Sequence, residues 1–223
     1  MASAAEPRVQ RFGRTERFVH WWQAASFLVL LLSGLTLWLP ALATAVNRRL
    51  LVKDIHLVAS VALVVGLLAA VLVGDRRAIA RTAREMDRYD EHDRAFLLHR
   101  RIDGRQPRPA RYNGGQKLNA AITSASWALF LVSGALLYLG ERDHALRVGG
   151  ALFLHEVLTL VMLAVVCGHI WMAALNTATA GALDGMRSGT VSVAYAREHH
   201  PRWDPASEDG SEPVAAPGPD ART

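Results

Sequence analysis

Phe18 to Asn47 reads FVHWWQAASFLVLLLSGLTLWLPALATAVN and contains no Asp, Glu, Lys or Arg. A helix crosses the hydrocarbon core of a bilayer in about 20 apolar residues, and this stretch exceeds that length. Ile55 to Gly74 and Leu118 to Gly140 are equally free of charge, and a fourth run, from about Val148 to Leu183, holds only Glu156. The charges, 20% of a chain that is 51% hydrophobic, are crowded into the stretches between. That segregation excludes a soluble globular enzyme and a disordered chain. It predicts an all-α membrane protein, a four-transmembrane-helix bundle.

The boundaries follow from where the charges resume. Residues 1–17 form an N-terminal segment and 18–183 the membrane domain, with spans at about 18–39, 54–74, 117–139 and 149–174 joined by a long connection, 75–116. Residues 184–203 read as a membrane-surface segment. The stretch 204–223, rich in Pro, Gly and acidic residues, reads as disordered. The first span is too long for the roughly 7–15-residue core of a cleaved signal peptide. REMDRYDEHDR in the long connection carries charges of both signs at helical spacing, which suits an amphipathic or solvated helix on the membrane face.

Lys and Arg residues set the expected orientation. The N-terminal segment has four, the connection between spans two and three, counted from Asp75 through Lys117, has twelve and the C-terminal segment has four. The opposite face has five: Arg48, Arg49, Lys53, Arg142 and Arg147. The positive-inside rule then puts both termini and the long connection in the cytoplasm. The net charge of +5 is a topology signal and gives no reason to expect a nucleic-acid partner. Trp21, Trp22, Trp38, Tyr138 and Trp171 fall near span ends, where an interfacial aromatic belt lies.

Four of the nine histidines lie in the apolar runs: His20, His56, His155 and His169. Ionisable residues at membrane depth are costly and usually functional. Alternating span directions put His20 and His169 toward the cytoplasmic side, and His56 and His155 toward the outer side. His155 and His169 are fourteen residues apart, which is about 40° short of four helical turns and a rise of roughly 21 Å. They share a face at two levels. Bis-histidine ligation from two helices holds a haem plane between them, so two levels predict two haems. No C-x-x-C-H attachment motif is present and Cys167 is the sole cysteine, so the haems are of b type. The competing reading makes the histidines helix-to-helix hydrogen bonders in a haem-free anchor or small transporter. Gly34, fourteen residues after His20, either admits a macrocycle or makes a small-residue helix contact, as does Gly134. SGLTLWLP and SGALLYLG close spans one and three alike, although no longer repeat is evident.

ERFVHWW at the first span, YNGGQK at Tyr112–Lys117 and GMRSGTVSVAYAREHHPRW at Gly185–Trp203 resemble the signatures of the gamma subunit of membrane-bound respiratory formate dehydrogenase, a four-helix cytochrome b. The resemblance spans the chain nearly to Trp203. It implies His20 with His169 for an inner haem and His56 with His155 for an outer one. It also implies a menaquinone or ubiquinone site at Asn113, Gly115 and Gln116. From the residues alone, that segment equally suits a polar turn capping span three. The implied partners are an iron–sulfur beta subunit and a molybdenum or tungsten catalytic alpha subunit. Electrons pass from the former across the membrane to quinone, and this chain oxidises no formate by itself. A related alternative is the cytochrome b anchor of a hydrogenase or another molybdoenzyme. Glu156, beside His155, departs from the small apolar residue the family pattern leads one to expect.

Overall fold

A computed structural model describes residues 6–205. The expectation of disorder over 204–223 therefore falls, apart from its first two residues, outside the described residues. In chain order the elements are strand β1 (Arg8–Gln10), helices α1 (Arg14–Trp38), α2 (Pro40–Val46), α3 (Arg49–Val73), α4 (Arg76–Asp87), α5 (Glu91–Leu97), α6 (Gly114–Arg142) and α7 (Ala151–Ile170), then α8 (Ala182–Ser188), strand β2 (Thr190–Ser192) and α9 (Val193–His199). A 3₁₀ turn, His144–Leu146, precedes α7, and a π turn, Trp171–Leu175, prolongs it.

Four helices are long and apolar enough to cross a membrane: α1, α3, α6, and α7 with its π turn. They pack as two antiparallel hairpins, α1 against α3 and α6 against α7, which meet chiefly where α1 touches α7. Each helix starts or stops where local chemistry requires. Asn113 caps α6 by accepting from Gln116 N–H at 2.8 Å, while Gln116 Oε1 accepts from Asn113 N–H at 3.0 Å. This reciprocal capping box satisfies two amides that the first helical turn leaves orphaned. α1 ends at Leu39 because Pro40 follows, and Pro40 then opens the short α2 inside the first far-end loop.

Where α1 crosses α3, Gly66 lets the Trp22 indole lie flat on α3 and donate to the Ala62 carbonyl at 3.1 Å. A Cβ on Gly66 would stand 1.9 Å from Trp22 Nε1.

The first and last described segments lie at one end of the bundle, in a packed cap. β1 and β2 pair antiparallel, Val9 opposite Val191. Arg11 and Arg111 each donate to the other's carbonyl oxygen. Arg111 also holds Glu16 at 2.9 Å and Glu85 at 3.3 Å. The REMDRYDEHDR stretch is divided: α4 ends at Asp87, and Asp90 starts α5 by accepting from Asp93 N–H at 2.9 Å. It is not a solvated helix throughout. Asp93 is 1% exposed and pairs with Lys117 at 2.5 Å, and Lys117 also donates to the Arg88 carbonyl at 2.8 Å. A buried charge must have such a partner.

Candidate functional site

The four intramembrane histidines come together as two pairs. His20 lies two turns into α1 and His169 near the end of α7, at the end of the bundle that carries the β1–β2 cap, with ring centres 6.1 Å apart and planes at 54°. His56 and His155 face each other from α3 and α7 at the far end, with centres 6.3 Å apart and planes at 61°. A metal–nitrogen bond is about 2 Å and an imidazole nitrogen lies about 1.1 Å from its ring centre, so two imidazoles sharing one metal stand roughly 6 Å apart. Both separations meet that requirement. Among the described residues no third His, Cys, Asp or Glu joins either pair. Two donors suit a metal whose remaining ligands come from a macrocycle, so the donor set fits haem.

The surroundings of the far pair are specific. Gly34 and Gly134 face it from α1 and α6: a Cβ at Gly34 would stand 3.4 Å from His56 Cε1, and one at Gly134 3.5 Å from His155 Cε1. Both glycines thus line the histidines. Phe130 lies edge-on to His155 with centres 4.9 Å apart, and Phe27 meets Phe130 at 6.3 Å. At the near pair, Trp21 stands edge-on to His20 and is tethered to the C-terminal segment through its indole N–H and the Met186 carbonyl, 2.9 Å. His20, His56 and His155 are half-buried and His169 is exposed on the protein surface. Glu156 is half-buried.

Asn113, Gly115 and Gln116 sit together at the start of α6, at the same end as His20 and His169. The capping box commits the two side-chain oxygens to backbone N–H groups and leaves the amide nitrogens, both donors, without a partner among the described residues. Capping and ligand binding are therefore compatible roles for this turn. Gly115 faces Phe96 of α5, 3.3 Å from where its Cβ would be. Gly114 cannot be replaced without displacing α5, since a Cβ there would stand 2.5 Å from the Asp93 carbonyl oxygen.

A cavity of about 410 Å³ opens beside this turn, between Glu85, Tyr89, Asp90, Tyr112, Lys117 and Arg202 among others. Asn113, Gly115 and Gln116 do not line it. At its rim Arg202 pairs with Asp90 at 2.5 Å. Burial disfavours the Asp90 carboxylate, but the Arg202 hydrogen bond and the Asp93 N–H outweigh it and leave the carboxyl below its usual range. Burial pushes the Tyr112 phenol up to about 12, so it stays protonated.

None of these cap residues was visible as a site in the sequence. The signal available was the mixed-charge stretch, whose ion-pair partners lie 24 or more residues away.

The chain matches the family described as "Prokaryotic cytochrome b561" over residues 11–189. It is 32% identical over 96 residues to the formate dehydrogenase cytochrome b556(fdo) subunit of Escherichia coli K12, covering 42% of this chain and 44% of that protein. It is 30% identical over 98 residues to the formate dehydrogenase cytochrome b556 subunit of Haemophilus influenzae, covering 42% and 39%. Both matches thus span less than half of the relative's length. With the nitrate-inducible cytochrome b556(Fdn) subunit of E. coli K12 it shares 24% identity over 199 residues, 84% of this chain and 86% of that one.

Proposed function

The chain belongs to the prokaryotic cytochrome b561 family, and from that membership we propose that it is the di-haem cytochrome b subunit of a formate dehydrogenase, conducting electrons across the membrane to quinone. It is a multi-pass protein of the bacterial inner membrane, and its family implies haem b as the prosthetic group. The observation that carries the reading is the pair of facing imidazole pairs, with ring centres 6.1 and 6.3 Å apart at the two ends of one bundle. His20 and His169 hold one haem on the cytoplasmic side, and His56 and His155 hold the other on the outer side. Bound there, the haems supply one-electron transfer between the two faces of the membrane.

The chain's own residues do the rest. Its basic face, with the termini, lies in the cytoplasm. The amide nitrogens of Asn113 and Gln116 donate hydrogen bonds to a carbonyl of menaquinone or ubiquinone, and Gly115 admits the ring close to the backbone. Reduction of one quinone takes two electrons and two protons, and the carboxylates of Glu85 and Asp90 in the wall of the neighbouring cavity relay those protons to the site. Electrons crossing inward while protons are consumed inside generate membrane potential. An iron–sulfur beta subunit docks at the outer end, and a molybdenum or tungsten alpha subunit oxidises formate.

The test is reverse electron flow in the purified chain. Menadiol should reduce the haems of the wild type. Asn113→Leu/Gln116→Leu should keep its haem content and lose at least tenfold in that rate; an unchanged rate refutes the quinone site. Affinity capture from native membranes should bring down a cysteine-rich iron–sulfur protein together with a formate-oxidising enzyme. Capture of hydrogenase activity in its place refutes the formate assignment.

A further inference from the structure

The sequence ends spans one and three with the same dipeptide, Ser33–Gly34 and Ser133–Gly134, and the structure puts both at one kind of contact. Ser33 Oγ of α1 lies 2.9 Å from His56 Nδ1 of α3, and Ser133 Oγ of α6 lies 2.9 Å from His155 Nδ1 of α7. Each hairpin therefore presents one outer histidine over a Ser-Gly pair of its preceding helix. Ser33 is 7% exposed and Ser133 is 1% exposed, so neither hydroxyl has water as an alternative.

The direction of these bonds follows from the second contact of each hydroxyl. Ser33 Oγ is 2.7 Å from the Val29 carbonyl oxygen, and Ser133 Oγ is 2.7 Å from that of Leu129. A carbonyl can only accept, and a serine has one proton. That proton goes to the carbonyl one turn back, and the serine oxygen accepts from histidine Nδ1–H. The ring is thereby held in the tautomer whose Nε2 carries the lone pair, the form in which imidazole binds a metal. No ring hydrogen bond of this kind is found for His20 or His169 among the described residues.

We propose that Ser33 and Ser133 are positioning residues for the outer haem, fixing the tautomer and ring orientation of His56 and His155 and lowering the reduction potential of that haem alone. The proposal rests on the two-haem reading above. A ligand histidine that donates its other N–H becomes a stronger electron donor. A stronger donor favours ferric over ferrous iron, and hydrogen bonding of this kind is among the protein's means of tuning a haem. With the serines confined to one level, the two haems are pushed apart in potential, the outer one lower, which favours electron movement toward the quinone side.

The experiment is a potentiometric titration of the purified full chain, with haem counted per polypeptide and low-spin ferric EPR recorded on the same samples. The outer haem is identified as the one lost in His155→Ala. In Ser33→Ala and Ser133→Ala both haems should remain. The ferric-to-ferrous ratio of the outer haem at fixed potential should fall about tenfold in each, a rise of about 59 mV for one electron. Its EPR signal should shift, and the inner haem should not move. Ser33→Thr, which keeps the hydroxyl, should restore the wild-type value. Thr36→Val, which removes a hydroxyl bonded only to its own helix at Leu32, should change nothing. Two haems with unmoved potentials in both alanine variants, or a shift in the inner haem, overturn the serine assignment alone. Fewer than two haems in the wild type overturns the two-haem reading and this proposal with it.

Discussion

Arg111→Met removes the guanidinium that ties three parts of the cap to the start of α1. Arg111 and Glu16 have side chains only 4% and 5% exposed, with Nη2 and Oε1 2.9 Å apart. Removing one partner of a buried pair leaves the other charge uncompensated, a loss of about 3–5 kcal/mol. Two donors remain for Glu16, the Gly13 N–H at 2.7 Å and the Thr82 hydroxyl at 2.5 Å. They soften the loss, so the lower end, about 3 kcal/mol, is expected. The substitution also removes the bond to the Arg11 carbonyl and the contact of the guanidinium with the Phe12 ring, 5.2 Å away.

Glu16→Gln provides the comparison. It keeps an acceptor for Arg111, and Arg111 keeps Glu85, so about 1–2 kcal/mol is expected for the lost charge assistance. Glu16 precedes His20 by one turn of α1, so the cap also holds the helix that carries an inner-pair histidine. The assay is the denaturation midpoint of the detergent-solubilised chain, followed by haem absorbance and by protease sensitivity of the N-terminal segment. Arg111→Met should fall well below Glu16→Gln, with the inner haem lost before the outer. Equal midpoints for the two variants, or loss of the outer haem first, would refute the reasoning.

Two further predictions concern packing and pH. Gly66→Ala puts a Cβ 1.9 Å from Trp22 Nε1 and must drive the indole off α3. It should lower the midpoint by about 1–3 kcal/mol, as overpacking does, and shift Trp fluorescence; an unchanged midpoint contradicts the close crossing. His200, 2% exposed, donates from Nδ1 to the Ala110 carbonyl at 2.7 Å. Burial, aided by the nearby Arg11 charge, pushes its imidazole down to about 3. Below about pH 6.5 the unfolded segment takes up a proton that the folded one refuses, so cap stability is complete above that pH and falls by roughly 1.4 kcal/mol per unit beneath it. Protection factors of the α9 amides, which divide out the intrinsic base-catalysed exchange rate, should fall from pH 6.5 to 5 and much less so in His200→Phe; an equal fall in both refutes the assignment.

What the sequence disclosed depends on whether a signal is local. The four spans are runs with at most one charged residue, and such runs need no tertiary knowledge. The spacing of His155 and His169 along one helix is likewise a local property. The Ser33 and Ser133 contacts are different: the repeated dipeptide is visible, but only the register between neighbouring helices puts the hydroxyls on His56 and His155. The cap was the least legible part. β1 and β2 are three residues each, too short to show alternation, and Asp93 reads as one more solvated acid until Lys117 is brought against it. Asn113 and Gln116 had two competing readings because side-chain oxygen and nitrogen do different work there. The oxygens cap α6, and the nitrogens are left to donate.

The most direct test of the account is the haem content of the purified, full-length chain by pyridine haemochrome, with a dithionite-minus-oxidised spectrum. Two b-type haems per polypeptide are expected, falling to one in His155→Ala and to one, of different potential, in His169→Ala. One haem in the wild type would mean that one histidine pair does not hold iron. None, in a folded and monodisperse sample, would contradict the electron-conduit account and leave a membrane anchor.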